Sequence, residues 1–169
     1  PHRLLPLGAD GSRLLLGFGE SSPGHATESL RSLSLDPPLL LPFEARLDGP
    51  LRLVRESPDH TRIVAVGGSD AETTVLRASD LEVLADYPHD SEEPVQWAAF
   101  DPGGKALWLA RRAVDPRIGS DALLAWQPGR EPLMPESLPS GLRPLAVLPM
   151  SAGLFLFGSE RDVLLKQDG

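Results

Sequence analysis

Val95-Gln96-Trp97-Ala98-Ala99-Phe100 meets Asp101-Pro102-Gly103-Gly104 and leaves as Lys105-Ala106-Leu107-Trp108-Leu109-Ala110. Two apolar runs rich in aromatic and branched side chains flank a cluster of turn residues, which is the pattern of two strands joined by a tight turn. A long polar stretch from Arg111 to Ser120 follows, then a third apolar run, Ala122-Leu123-Leu124-Ala125-Trp126, then a second turn at Gln127-Pro128-Gly129-Arg130. A fourth run is expected at Glu131-Pro132-Leu133-Met134.

The same order recurs on both sides. Upstream, Leu51-Arg52-Leu53-Val54-Arg55 precedes Ser57-Pro58-Asp59-His60 and Arg62-Ile63-Val64-Ala65-Val66, and further up Arg3-Leu4-Leu5-Pro6-Leu7 turns at Asp10-Gly11 into Arg13-Leu14-Leu15-Leu16. Asp-Gly suits a tight hairpin because glycine accepts a positive φ without a steric penalty. Downstream, Leu145-Ala146-Val147-Leu148 precedes Leu154-Phe155-Leu156-Phe157 and Val163-Leu164-Leu165-Lys166. The four turns lie roughly 44–49 residues apart, a spacing that belongs to propeller blades when the unit is built of strands and turns. The expected fold is therefore all-β: a β-propeller segment of four-stranded antiparallel blades, the last blade incomplete. The blades are expected at 3–49, 50–94, 95–141 and 142–169. An irregular β-sandwich is the alternative, since its strands also recur at short intervals. The 18 prolines and 16 glycines are spread so as to interrupt any helix.

The predicted core takes one residue in two along these runs: Leu5, Leu7, Leu14, Leu16, Leu53, Val64, Val66, Val75, Trp97, Ala99, Leu107, Leu109, Leu124, Trp126, Val147, Phe155 and Leu164. Within blade 2 the fourth strand is expected at Leu81-Glu82-Val83-Leu84-Ala85.

The formal net charge of −8 argues against binding to nucleic acid or to anionic membrane surfaces, which are polyanions that require clustered Lys and Arg. No run of apolar residues is long enough for a membrane helix, so no membrane insertion is expected. Cysteine is absent, which removes disulfides, thiolate nucleophiles and cysteine-ligated zinc. Asparagine is absent as well, so there is no N-glycosylation site. Lys105 and Lys166 are the only lysines beside many arginines, a bias that points to a GC-rich bacterial source. A cytoplasmic location is read ahead of a periplasmic one.

The repeats resemble the WD-repeat propellers and their bacterial relatives. Phe100-Asp101-Pro102-Gly103-Gly104-Lys105-Ala106-Leu107 and Ser57-Pro58-Asp59 match the family's turn, and Leu124-Ala125-Trp126-Gln127 takes the place of its Trp-Asp pair with Gln for Asp. Val75-Leu76-Arg77-Ala78 and Leu164-Leu165-Lys166-Gln167 lack the Trp, and the opening Gly-His pair is missing. The resemblance implies that the first strand of each repeat lines a central channel and the fourth lies at the rim. It also implies that three and three-quarter blades do not close a ring, so the remaining blades are expected from the rest of a longer polypeptide, from another chain or from a second copy.

The same geometry gathers on one face the loops that precede each first strand and those that join second to third strands. Candidate binding residues there are His25 and Glu28 in the loop Glu20–Glu28, His89, Asp90, Glu92 and Glu93 in the acidic stretch that begins at Asp86-Tyr87, and Arg111, Arg112, Asp115 and Arg117 in the long loop of blade 3. Loops carry much of protein function, but each of these also reads as an ordinary solvated loop. No His pair has metal spacing, no calcium loop is present, and no Gly-x-Ser-x-Gly elbow or phosphate-binding glycine loop occurs. No cofactor, metal or catalytic residue is expected. The function expected is a non-catalytic propeller scaffold or sensor segment that mediates protein–protein interaction within a larger bacterial protein or assembly. The alternative is a hydrolase or lyase whose channel mouth uses His25, His89 and neighbouring carboxylates. A partner surface that faces the acidic stretch is expected to be basic.

Overall fold

The computed structural model describes residues 3–22, 25–67, 72–87, 94–112, 121–131, 136–137, 144–150, 153–158 and 163–166. The chain is all-β, with antiparallel sheets arranged as successive propeller blades. Blade 1 holds β1 (Arg3–Leu7), β2 (Arg13–Ser22), β3 (His25–Leu35) and β4 (Pro38–Asp48) in that order. Blade 2 holds β5 (Leu53–Glu56), β6 (Arg62–Gly67), β7 (Glu72–Arg77) and β8 (Val83–Tyr87). Blade 3 holds β9 (Val95–Phe100), β10 (Leu107–Arg111), β11 (Ala122–Trp126) and β12 (Glu136–Ser137). Among the described residues the last sheet has three strands, β13 (Pro144–Met150), β14 (Gly153–Gly158) and β15 (Val163–Lys166).

The first turn of each blade follows from its residues. In blade 3 the Asp101 carboxylate accepts the N–H groups of Lys105 and Ala106 at 2.7 and 2.9 Å, while Gly104 takes φ +68° and donates to the Asp101 carbonyl. In blade 2 the left-handed position falls on His60, at φ 58°, and its N–H donates to the Ser57 carbonyl. Asp59 there accepts from the Ser57 hydroxyl and from the N–H and hydroxyl of Thr61. The Ser57 hydroxyl is the main reason that its carboxyl titrates below the usual carboxylate range. In blade 1 the N–H of Ser12 donates to Asp10 Oδ1 at 3.0 Å and holds that carboxyl below the usual carboxylate range.

Neighbouring turns touch across blade boundaries. The Gly8 N–H of blade 1 donates to Glu56 Oε1 of blade 2 at 2.8 Å, and the other oxygen of Glu56 lies 2.8 Å from His60 Nδ1. A Cβ on Gly104 would stand 3.0 Å from the Asp59 carboxyl carbon, so blade 3 needs glycine there for room as well as for φ.

The core is three apolar layers, each between two blades. Leu7, Leu15, Leu30 and Ala45 pack on Ile63, Ala65 and Leu76 between blades 1 and 2. Val64, Val66, Val75 and Tyr87 pack on Val95, Leu107, Leu109, Leu124 and Trp126 between blades 2 and 3. Ala110 and Leu123 pack on Val147 and Leu156 between blades 3 and 4, where the Trp97 indole also donates to the Val147 carbonyl at 3.0 Å.

Some core expectations change here. Leu15 is buried, whereas Leu14 and Leu16 are half-buried on the opposite face of β2. The run is apolar on both faces, and period-two alternation cannot choose between them. Leu5, Trp97, Ala99 and Phe155 are half-buried too, and the Leu164 side chain lies outside the described residues. The fourth strand of blade 2 starts at Val83, because Leu81 adopts φ 61° within the turn that precedes it. Blade 3 pairs its fourth strand at Glu136–Ser137, and 132–134 of the expected run lie outside the described residues.

Two sheet faces stay uncovered. On the outer face of blade 1, Leu4 is 63% exposed, and Leu40 pairs opposite Leu33 and is exposed as well. On the outer face of the last blade Leu148 is 50% exposed beside Phe155 and Phe157, whose rings meet edge to face at 4.8 Å.

Candidate functional site

A notch of about 350 Å³ opens between the outer strands of blades 1 and 2. Arg46, Leu47 and Asp48 from the end of β4 form one wall. Glu72, Thr73 and Thr74 from the start of β7, with Val83, Asp86 and Tyr87 from β8, form the other. β7 and β8 pair Thr74 with Asp86 on the face toward blade 1 and Thr73 with Tyr87 on the face toward blade 3. Cross-strand partners share a face, and here the Thr74 hydroxyl donates to Asp86 Oδ1 at 2.8 Å.

The notch is acidic. Asp48, Glu72 and Asp86 supply three carboxylates, and Asp48 and Glu72 have no hydrogen-bond or ion-pair partner among the described residues. Arg46 is the one cation in the lining, and its Nε lies 3.3 Å from Glu44 instead. Thr73 is 1% exposed, and its hydroxyl has no hydrogen-bond partner. Among the described residues no group of three His, Cys, Asp or Glu could hold a metal ion.

The residues singled out by sequence scatter relative to this notch. Glu28 is not in a loop, because β2 continues to Ser22 and β3 begins at His25. It is buried, pairs in register with Leu47, and accepts the Leu51 N–H at 2.6 Å, where the chain crosses from blade 1 to blade 2. Its second oxygen is buried without a partner. The His25 backbone pairs with Ser22 at the end of the same hairpin. Arg111 ends β10 opposite Val95, and Arg112 follows with its N–H donating to the Pro94 carbonyl at 3.2 Å. His89, Asp90, Glu92, Glu93, Asp115 and Arg117 lie outside the described residues. Of the acidic stretch, Asp86 and Tyr87 are described, and both line the notch. Arg46, Asp48, Glu72, Thr73 and Thr74 carry no sequence motif, since they come from strands of two blades.

The sequence matches no protein-family model, and no curated protein matches it. Among solved structures the chain is similar to the β-propeller domain of Myceliophteria thermophila Cps50 (Swd1), with a TM-score of 0.67 and 14% identity over 93% of this chain and 47% of that one. It is also similar to the acylaminoacyl peptidase of Pyrococcus horikoshii, with a TM-score of 0.52 and 11% identity over 90% of this chain and 30% of that one. The chain thus spans about half of the first protein and under a third of the second. At these identities the likeness shows the fold, a β-propeller, and a shared fold does not carry a shared activity.

Proposed function

We propose that this chain is an arc of a non-catalytic propeller scaffold, completed by further blades and acting through protein–protein contacts. The observation that carries the reading is the pair of uncovered apolar faces on blades 1 and 4. Contiguous apolar surface of this kind is the mark of a face that another protein surface covers. In blade 2, which has a neighbour on each side, both faces of β6 are buried. Leu14-Leu15-Leu16 of blade 1 has the same two-sided apolar pattern with only one face covered. The length relation with the Cps50 (Swd1) propeller domain agrees with an arc of about half a ring.

Acid–base catalysis needs its groups within hydrogen-bond reach of one substrate position. The described candidates do not gather in that way: Glu28 is tied to the Leu51 N–H between blades 1 and 2, whereas Arg111 ends the second strand of blade 3 and Arg112 follows it. The remaining blades are assigned first to the same polypeptide. Light scattering tests this on residues 1–169 and on the intact protein. The segment alone is expected to self-associate through its end faces and the intact protein to be monodisperse. A stable monomer of the 18.2 kDa segment, with cooperative unfolding, overturns the reading.

A further inference from the structure

The outermost strands of blades 1 to 3 form the rim, and they differ. The edge strand of blade 2, β8, has 5 residues and a bulge in its pairing with β7, and the described part of β12 in blade 3 has 2. In blade 1 the edge strand β4 has 11. An edge strand offers unpaired N–H and C=O groups to any other strand, and proteins blunt it by shortness, proline, bulges or lysine. In β4 those devices end early. Pro38 and Pro42 lack an N–H, and Leu41, Pro42 and Phe43 bulge opposite Ser32. From Glu44 to Asp48 the strand pairs regularly with β3 and contains neither proline nor lysine. Among the described residues the backbone of β4 bonds to no strand but β3.

This stretch is complementary to itself. Ala45 and its partner Leu30 face blade 2, so Glu44 and Arg46 lie on the opposite, outer face. A second β4 laid antiparallel along the first, with Ala45 opposite Ala45, sets Glu44 of each chain opposite Arg46 of the other. It also sets Phe43 opposite Leu47. Directly opposite residues share a face, and opposite charges there favour pairing. The Arg46 side chain is 81% exposed, and among the described residues only its Nε is engaged, by Glu44 of its own chain. Its terminal nitrogens keep donors for a carboxylate across the axis. Glu44 is held on the outer face by Arg31 at 3.0 Å, so it is in place before a partner arrives. Leu39, Leu40 and Phe43 are exposed on the same strand and add apolar surface.

We propose that two copies of this protein join through β4, antiparallel about Ala45, so that blade 1 of one copy continues into blade 1 of the other as a single sheet. The proposal goes beyond the scaffold reading and does not rest on it, because further blades attach to the end faces and leave the rim open. Alternate residues supply backbone hydrogen bonds, and the two reciprocal Glu44–Arg46 pairs fix the register. An unrelated strand gains the backbone bonds alone, whereas a second copy gains the charge pairs as well.

Sedimentation of the intact protein up to about 100 μM tests this, since small strand-pair contacts are weak. The wild-type protein is expected to reach twice its single-chain mass. Arg46→Glu and Glu44→Arg each set like charges opposite one another, and each is expected to raise the dimer dissociation constant about tenfold. An equimolar mixture of the two variants restores opposite charges across the axis and is expected to dimerise within about threefold of wild type. Hydrogen exchange at the amides of 43–48 is expected to slow as wild-type concentration rises. Far-UV spectra check that each variant is folded. Glu44→Arg also loses the Arg31 ion pair, so where it fails to fold, Arg46→Glu and the exchange measurement decide. A wild-type protein that stays single-chain at this concentration overturns the proposal. So does association that the variants leave unchanged, which places the contact on the end faces. A mixture no tighter than its components, or slowed exchange confined to other strands, overturns it as well.

Discussion

Blades 1 and 2 share one architecture and end in different situations. Each is four antiparallel strands closed by polar turns; the apolar residues of blade 1 are mostly Leu, with no Val or Ile, whereas those of blade 2 include Val and Ile. In blade 2, Ile63, Ala65 and Leu76 are sealed against blade 1, and Val64, Val66 and Val75 against blade 3. In blade 1, Leu7, Leu15 and Leu30 are sealed, but Leu4 on the far face is open. Val and Ile give blade 2 the higher strand propensity, but propensity does not select which face is covered. The difference is the neighbour, so burial in this architecture belongs to a pair of blades and stability to their interfaces.

That comparison can be broken most forcefully in the covered layer. Trp126 is buried between blades 2 and 3, meets Tyr87 edge to face at 5.3 Å, and donates its indole N–H to the Arg130 carbonyl at 3.0 Å. Trp126→Ala is expected to cost about 3–5 kcal/mol in denaturant unfolding, from lost burial and a residual cavity. A loss below about 1 kcal/mol means that the layer does not carry the fold.

The turn contact between blades 2 and 3 comes next. Gly104→Ala places a methyl group 3.0 Å from Asp59 at a positive φ, and is expected to cost about 1–2 kcal/mol. An unchanged denaturation midpoint counts against tight docking of the two turns.

Asp59 sharpens the same contact through pH. The Ser57 hydroxyl holds its carboxyl below the ordinary value of 3.8. A depressed folded-state pKa contributes stability that is fully present above the unfolded value, about 3.9, and is lost as pH falls through the lower folded value. Asp59→Asn is therefore expected to flatten part of the acid limb below about pH 4 in urea titrations at stepped pH. Superimposable acid limbs would show that the turn carboxylate contributes nothing.

The smallest effect belongs to the open face. Leu4→Ser is expected to change the unfolding free energy of the segment by less than about 0.5 kcal/mol, while reducing its self-association in sedimentation. A large loss of stability would show that the far face of blade 1 is covered within the segment itself.

Much of this was legible in the chain. Asp101 and Gly104 announce their turn because an aspartate oxygen and a left-handed glycine act within five residues. Trp126 was readable as core because it ends an apolar run before a Pro-Gly turn. Leu14-Leu15-Leu16 was not readable in detail, since three successive leucines look alike until one face has a neighbour. Leu81 reads as strand because it is apolar, whereas its backbone lies in the left-handed region and its side chain is buried all the same. The site was the hardest to see. Asp86 and Tyr87 belong to an acidic stretch visible in the sequence, but Glu72 comes beside them only through the pairing of β7 with β8, and Asp48 only across a blade boundary.

The repeating unit was written in the residue order, because strand alternation and turn chemistry act over a few neighbouring positions and need no distant partner. The notch, the choice of Leu15 over Leu14, and the two open faces came from the stacking of one sheet on the next. They depend on the angle and offset between blades, which no local pattern encodes.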